Sequence, residues 1–166
     1  MGITKRQEGT LAALFDKLWT ENGVLVELRH DEKATNTFWD RATLYALRGA
    51  MKTGADAIAL AKLQAFSRKR LLGDHVPYVV EAWPENNMKH LSAESALYCR
   101  IFTEGLLGLE PLDFDRIKMT PRLPKGWDYL ELKNLAFGGL NTDILIRRKG
   151  NQILSLIHIS EPTRPY

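Results

Sequence analysis

Between residues 73 and 91 the chain gathers groups that can do chemistry together: Glu81, Glu85, Tyr78, Trp83, Asn86, Asn87 and His90. A sugar site needs these types. A carboxylate activates water or protonates a leaving oxygen, an aromatic face stacks on sugar C–H groups, and amides bind hydroxyls. Pro77 and Pro84 forbid a continuous helix through this stretch. A loop this long inside a compact domain usually carries function. Composition alone also fits a plain surface loop with Trp83 tucked onto the core.

Other candidates are weaker. Asp40 reads as a helix-capping residue before it reads as an acid catalyst. His30, Asp31 and Glu32 are sequence neighbours, so their side chains diverge and cannot easily share one metal. The chain has no CxxC pair, no HExxH and no phosphate-binding glycine loop, and no metal or cofactor is expected. Trp39 lines a cleft or fills the core, and Arg41 binds a hydroxyl or faces water. The run Gly105-Leu106-Leu107-Gly108 reads as a helix end.

The elements that must position these groups are helices first and strands afterwards. Leu11, Leu14, Phe15, Leu18 and Trp19 follow the spacing of an amphipathic helix over 10–21, closed by Asn22-Gly23. Val24 to Leu28 is a short strand or an extended loop. A second helix is predicted to start near Thr37, with Thr37 and Asp40 as a capping pair, and to end at Gly54. Thr53 and Asp56 repeat the pattern for a third helix, which Gly73 closes. The two are joined almost directly and should form an αα-hairpin. A fourth helix runs from Ser92 to about Leu107 and is apolar nearly all round, as a deeply buried helix would be. After Gly108 the period becomes two: Ile117 and Met119, Leu130 and Leu132, Ile144 and Ile146 alternate with polar neighbours. The fold class is therefore mainly α followed by β, with an antiparallel C-terminal part.

Composition excludes little and agrees with a globular chain. Of 166 residues, 45% are hydrophobic and 26% charged, which argues against disorder. The net charge of +3 is scattered, with short clusters at Arg68-Lys69-Arg70 and Arg147-Arg148-Lys149. That is a solvated surface and not the basic stripe of a nucleic-acid binder. The single cysteine, Cys99, excludes an internal disulfide framework and reads as a small buried side chain. No apolar run approaches the ~20 residues that span a bilayer, and no signal peptide is visible.

Three segments carry a family resemblance. They are residues 70–78 (Arg-Leu-Leu-Gly-Asp-His-Val-Pro-Tyr), Glu81-Ala82-Trp83-Pro84-Glu85, and residues 90–98 (His-Leu-Ser-Ala-Glu-Ser-Ala-Leu-Tyr). Together they resemble the C-terminal part of six-hairpin (α/α)-barrel glycoside hydrolases, nearest to the α-L-rhamnosidase-like enzymes and bacterial relatives of them. Residues 105–111, followed by Thr120-Pro121-Arg122-Leu123-Pro124-Lys125-Gly126-Trp127, look like the exit from the last barrel helix into the β-domain of such enzymes. The resemblance covers most of 37–148. It implies a partial barrel over 1–109, a truncated β-domain over 110–153, and an oligosaccharide or polysaccharide substrate. In that pattern a carboxylate followed two positions on by Trp is the general base. Glu81 with Trp83 matches it, while Ala82 and Pro84 depart from it, and Glu85 is a second acid. The general base is then Glu81 or Glu85, with Glu81 favoured, activating water in an inverting hydrolysis, with Trp83, His90, Tyr78, Asn86 and Trp39 as sugar contacts. The resemblance also implies that the general acid and the rest of the barrel lie upstream of this chain, in a secreted or periplasmic parent. The isolated chain should then be inactive and prone to self-association. An inverting phosphorylase, or a non-catalytic carbohydrate-binding or helical interaction protein, is the alternative reading.

Residues 154–166 resemble something else. Leu154-Ser155-Leu156-Ile157-His158-Ile159-Ser160-Glu161-Pro162-Thr163-Arg164 back-translates into transposase sequencing-adapter DNA read in frame. On that reading genuine sequence ends near Ile153, and His158 and Glu161 belong to no site. The alternative is a real short strand with a Pro-rich end.

Overall fold

A computed structural model of the chain describes residues 4–25, 38–73, 78–83 and 92–160. The chain divides into two compact units, Met1–Gly105 and Leu106–Tyr166. Helices dominate the first and antiparallel strands the second, so the chain is mixed α and β with a C-terminal β region.

In the first unit, α1 spans Lys5–Ala12 and opens on a capping box between Thr4 and Gln7. It runs into a π-helical segment, Ala13–Leu18. The helix expected over 10–21 therefore begins earlier and stops sooner. Trp19–Thr20 (β1) instead pairs antiparallel with Gly23–Val24 (β2). Asn22-Gly23 thus serves a tight strand turn and not a helix end. Gly23 has φ 123°, and a Cβ there would lie 2.5 Å from Thr43 Oγ1. The close approach lets the buried Val24 N–H donate to Thr43 Oγ1 at 2.9 Å.

Phe38–Trp39 forms β3 and leads straight into α2, Asp40–Lys52. Thr43, Leu44, Leu47, Ala50 and Met51 make its buried stripe at helical spacing. Thr37 lies outside the described residues. Trp39 occupies the N-cap position and makes no side-chain cap bond. After a short turn through Gly54 comes α3, Asp56–Leu71. The second capping pair does not form: Ala55 holds the N-cap position, and Thr53 Oγ1 donates to Ala50 O at 2.9 Å. The buried stripe of α3 is Ala59, Leu63, Phe66 and Arg70, so a hydrophobic face ends on a charge.

Ala82–Trp83 (β4) pairs antiparallel with β3, Phe38 opposite Trp83 and Trp39 opposite Ala82. Helix α4 spans Ser92–Arg100 and continues as a π-helical segment, Ile101–Leu106. It is not buried all round. Leu97 and Ile101 face inward, while Ala93, Ala96 and Cys99 are exposed. Small apolar side chains sit on its open side, so apolarity alone did not report burial. Gly105 lets the segment approach α2: a Cβ there would touch Met51 Sδ at 3.0 Å.

In the second unit, Leu109–Pro111 (β5) pairs with Ile117–Met119 (β6). Tyr129–Phe137 (β7), Leu140–Lys149 (β8) and Gln152–Ser160 (β9) form an antiparallel meander. Its core gathers Leu107, Leu109, Leu123, Ile144 and Ile146, with Ile117, Met119, Leu130 and Leu132 against them. The expected alternation therefore sets the inward faces of β6, β7 and β8. Arg148 Nη2 donates to Leu123 O at 2.8 Å and Pro124 O at 3.1 Å, fixing the loop before β7.

Candidate functional site

The site is built where α2 begins. The two-residue ladder of β3 and β4 lays the segment around Glu81 against the start of α2, and the Asp40 N–H donates to Glu81 O at 3.1 Å. Val79 and Val80 are buried and anchor the approach to Glu81, with Ser95 Oγ of α4 on Val79 O at 3.4 Å. A short irregular segment is thus held from both sides by backbone and apolar contacts.

Beneath it lies a buried ion pair. Arg70 Nε donates to Asp40 Oδ1 at 3.0 Å and Oδ2 at 2.9 Å, and the two side chains are 1% and 0% exposed. The hairpin explains the pairing: the start of α2 lies near the end of α3. Asp40 sits at a helix N-terminus and Arg70 at a helix C-terminus, the favourable end for each charge. Arg70 Nη2 also donates to Asn22 O at 2.6 Å, which ties in the β1–β2 turn. The guanidinium stacks on Phe66 at 5.1 Å and on Trp83 at 4.2 Å.

That contact defines Trp83. One ring face lies on Arg70, and the side chain is half-buried. Trp39 is 46% exposed and Tyr78 42% exposed, so these two rings offer open surface. Glu81 is half-buried beside them in the chain. Glu85, Asn86 and His90 lie outside the described residues.

Sequence reasoning missed a second charge pair. Arg41, on the first turn of α2, donates through Nε to Glu94 Oε1 at 2.8 Å, with Nη2 2.6 Å from the same oxygen. Glu94 is completely buried, and among the described residues its Oε2 has no hydrogen-bond partner. The hydrogen bond to Glu94, and then its charge, hold the Arg41 guanidinium above the usual arginine range, and the charge of Glu81 adds to this. Arg41 and Glu94 stand 53 positions apart, so no local signal in the sequence links them. Among the described residues no three metal-binding side chains converge.

A cavity of about 640 Å³ lies elsewhere, between α3 and the β1–β2 turn, with Trp19, Asn22, Ala61, Lys62 and Phe66 among its walls. It excludes Glu81. Lys62 lies over the rings of Phe15 and Trp19 there, at 5.2 and 4.5 Å. Burial lowers its ammonium below the usual lysine range. Glu21, Lys69 and Arg70 also line it, with Lys69 Nζ 3.7 Å from Glu21 Oε1, and none of the residues singled out from the sequence as sugar contacts or acids does.

No protein-family model matches the chain, and no curated protein matches it. Among the described residues no helix is long and apolar enough to cross a membrane.

Proposed function

We propose that the chain is the C-terminal part of a six-hairpin (α/α)-barrel glycoside hydrolase, with Glu81 as the general base of an inverting hydrolysis. The observation that carries this reading is the backbone pinning of Glu81 to the start of α2, next to Arg41 and the exposed Trp39. A general base needs a fixed carboxylate, a charge environment and an aromatic platform at the same place. Trp39 and Tyr78 supply the open ring faces. Trp83, with one face on Arg70, supports the segment. Glu85, Asn86 and His90 complete the set in this proposal.

Residues 154–166 are proposed to be adapter-derived. The supporting feature is the burial of β9: all nine of its residues are exposed, including Leu154, Leu156, Ile157 and Ile159. A strand selected to cover a core hides one of its two faces. Neither face of β9 is hidden.

The test is hydrolysis of aryl glycosides by the enzyme encoded in the complete reading frame. Glu81→Gln should lower kcat by about 10²- to 10⁴-fold, the usual contribution of general base catalysis. The initial product should have the inverted anomeric configuration by NMR. Full activity of Glu81→Gln, or turnover by residues 1–153 alone, rejects the proposal.

A further inference from the structure

The cavity beside α3 takes no part in the Glu81 site, yet its wall combines an apolar floor with a fixed cation. Ala57, Ile58, Ala61 and Ala65 line it from the exposed face of α3, at helical spacing. Three of the four are alanines, so the floor is low and flat. Trp19 and Phe66 add aromatic wall. The volume of about 640 Å³ is that of a small-molecule pocket, where roughly 300–1,000 Å³ is usual.

Three basic side chains also line the cavity, and two of them are already engaged. Lys69 Nζ donates to Asn22 Oδ1 at 2.7 Å and lies 3.7 Å from Glu21 Oε1. Arg70 is closed on Asp40 and on Asn22 O. Lys62 differs. Among the described residues its ammonium has no hydrogen-bond acceptor and no ion pair, and Asp16 acts on it through charge alone. The rings of Phe15 and Trp19 hold it in place at 5.2 and 4.5 Å. A cation held on ring faces is positioned without spending its N–H donors.

We infer that the cavity between α3 and the β1–β2 turn binds an aryl carboxylate, its carboxylate on Lys62 and its ring on the alanine floor. The carboxylate takes the donors that the rings leave unused, in a charge-assisted bond. The flat ring lies on Ala57, Ala61 and Ala65 and meets aromatic wall at Trp19 and Phe66. A single negative charge suits the site. A second one would be repelled by Asp16 and Glu21.

The test is an NMR titration of the chain with 2-naphthoate, neutral 2-naphthamide and cationic 2-naphthylmethylammonium, read at the Trp19 indole and the Lys62 ε-methylene. Naphthoate should move both signals and bind at least about tenfold more tightly than the amide, with the ammonium weakest. Lys62→Met keeps an unbranched chain on the rings without the charge. It should weaken naphthoate by about tenfold and leave the amide unchanged, whereas Lys69→Met should keep the preference. Ala61→Leu fills the cavity from an exposed helix position, so the fold is retained, and should weaken both ligands at least about tenfold.

A Trp19 signal that stays still at millimolar naphthoate overturns the inference. So does equal affinity for acid and amide, or a preference that survives Lys62→Met. Dimerisation that Ala61→Leu abolishes, with Trp19 silent to naphthoate, assigns the cavity to a second copy of the chain instead. None of these results bears on Glu81, which lies outside this wall.

Discussion

Arg70 and Asp40 meet where α3 ends and α2 begins, Nε reaching both carboxylate oxygens within 3.0 Å with neither side chain open to solvent. This pair supports Trp83 from below and Glu81 through the Asp40 backbone. Removing one partner strands the other as a buried charge. Arg70→Met or Asp40→Asn should each cost about 3–5 kcal/mol in urea unfolding of the helical unit. The double variant Asp40→Leu/Arg70→Met should recover much of that loss, because no uncompensated charge remains. Additive losses in the double variant would contradict this account.

Gly23 and Thr43 make a second close contact with a measurable consequence. Gly23→Ala places a Cβ against Thr43 Oγ1 at a φ that disfavours side chains. The variant should lose about 1–3 kcal/mol through backbone strain and the broken Val24 N–H bond. Thr43→Val removes that bond without the clash and should fall short of Gly23→Ala by chemical denaturation. The reverse order would mean that the glycine is not held by this contact.

Asp113 gives the second unit an acid dependence. The Phe114 N–H, at 2.8 Å, and then Arg116 hold its carboxyl below the usual aspartate range. The folded value is depressed, so the stabilisation is present above the ordinary aspartate value. It is lost as pH falls through the lowered folded one. A carboxyl-detected NMR titration should find Asp113 ionised where exposed aspartates are half protonated. Asp113→Asn should remove that part of the acid dependence by lowering stability slightly near neutral pH while leaving it unchanged at a pH where the wild-type carboxyl is protonated.

The exposed strand β9 is expected to promote association. It is an edge strand carrying Leu154, Leu156, Ile157 and Ile159 in the open. A chain ending at Ile153 should keep the core of Leu109, Leu123, Ile144 and Ile146. Its stability should change by no more than about 1 kcal/mol, since each ladder bond contributes roughly what ordering its residue costs. Light scattering should show less self-association than for the full chain. Loss of the β signal in circular dichroism would show instead that β9 is needed for the sheet.

Periodicity made much of the fold legible. Leu44 and Leu47 on α2, Leu63 and Phe66 on α3, and Leu130, Leu132, Ile144 and Ile146 in the sheet are placed by repeats of 3.6 and 2. The failures are as specific. Cys99 was expected inside and is exposed, because a small apolar side chain suits either side of a helix. Asn22-Gly23 carries the same signal for a helix end and for a tight strand turn, and pairing with Trp19–Thr20 chose the latter. The Thr53–Asp56 capping pair gave way to a local bond from Thr53 to Ala50 O, and Asp40 is drawn inward by Arg70.

Within the candidate site, the sequence by itself determined the grouping of Tyr78, Glu81 and Trp83, since unlike chemical types crowded between two prolines are visible without a structure. Only the tertiary structure decided which ring faces are open, which lysine or arginine is buried, and that Arg41 rests on Glu94. The physical reason is separation along the chain. Arg70 finds Asp40 across 30 positions and Arg41 finds Glu94 across 53, and a charge reads as solvated until its partner is folded beside it.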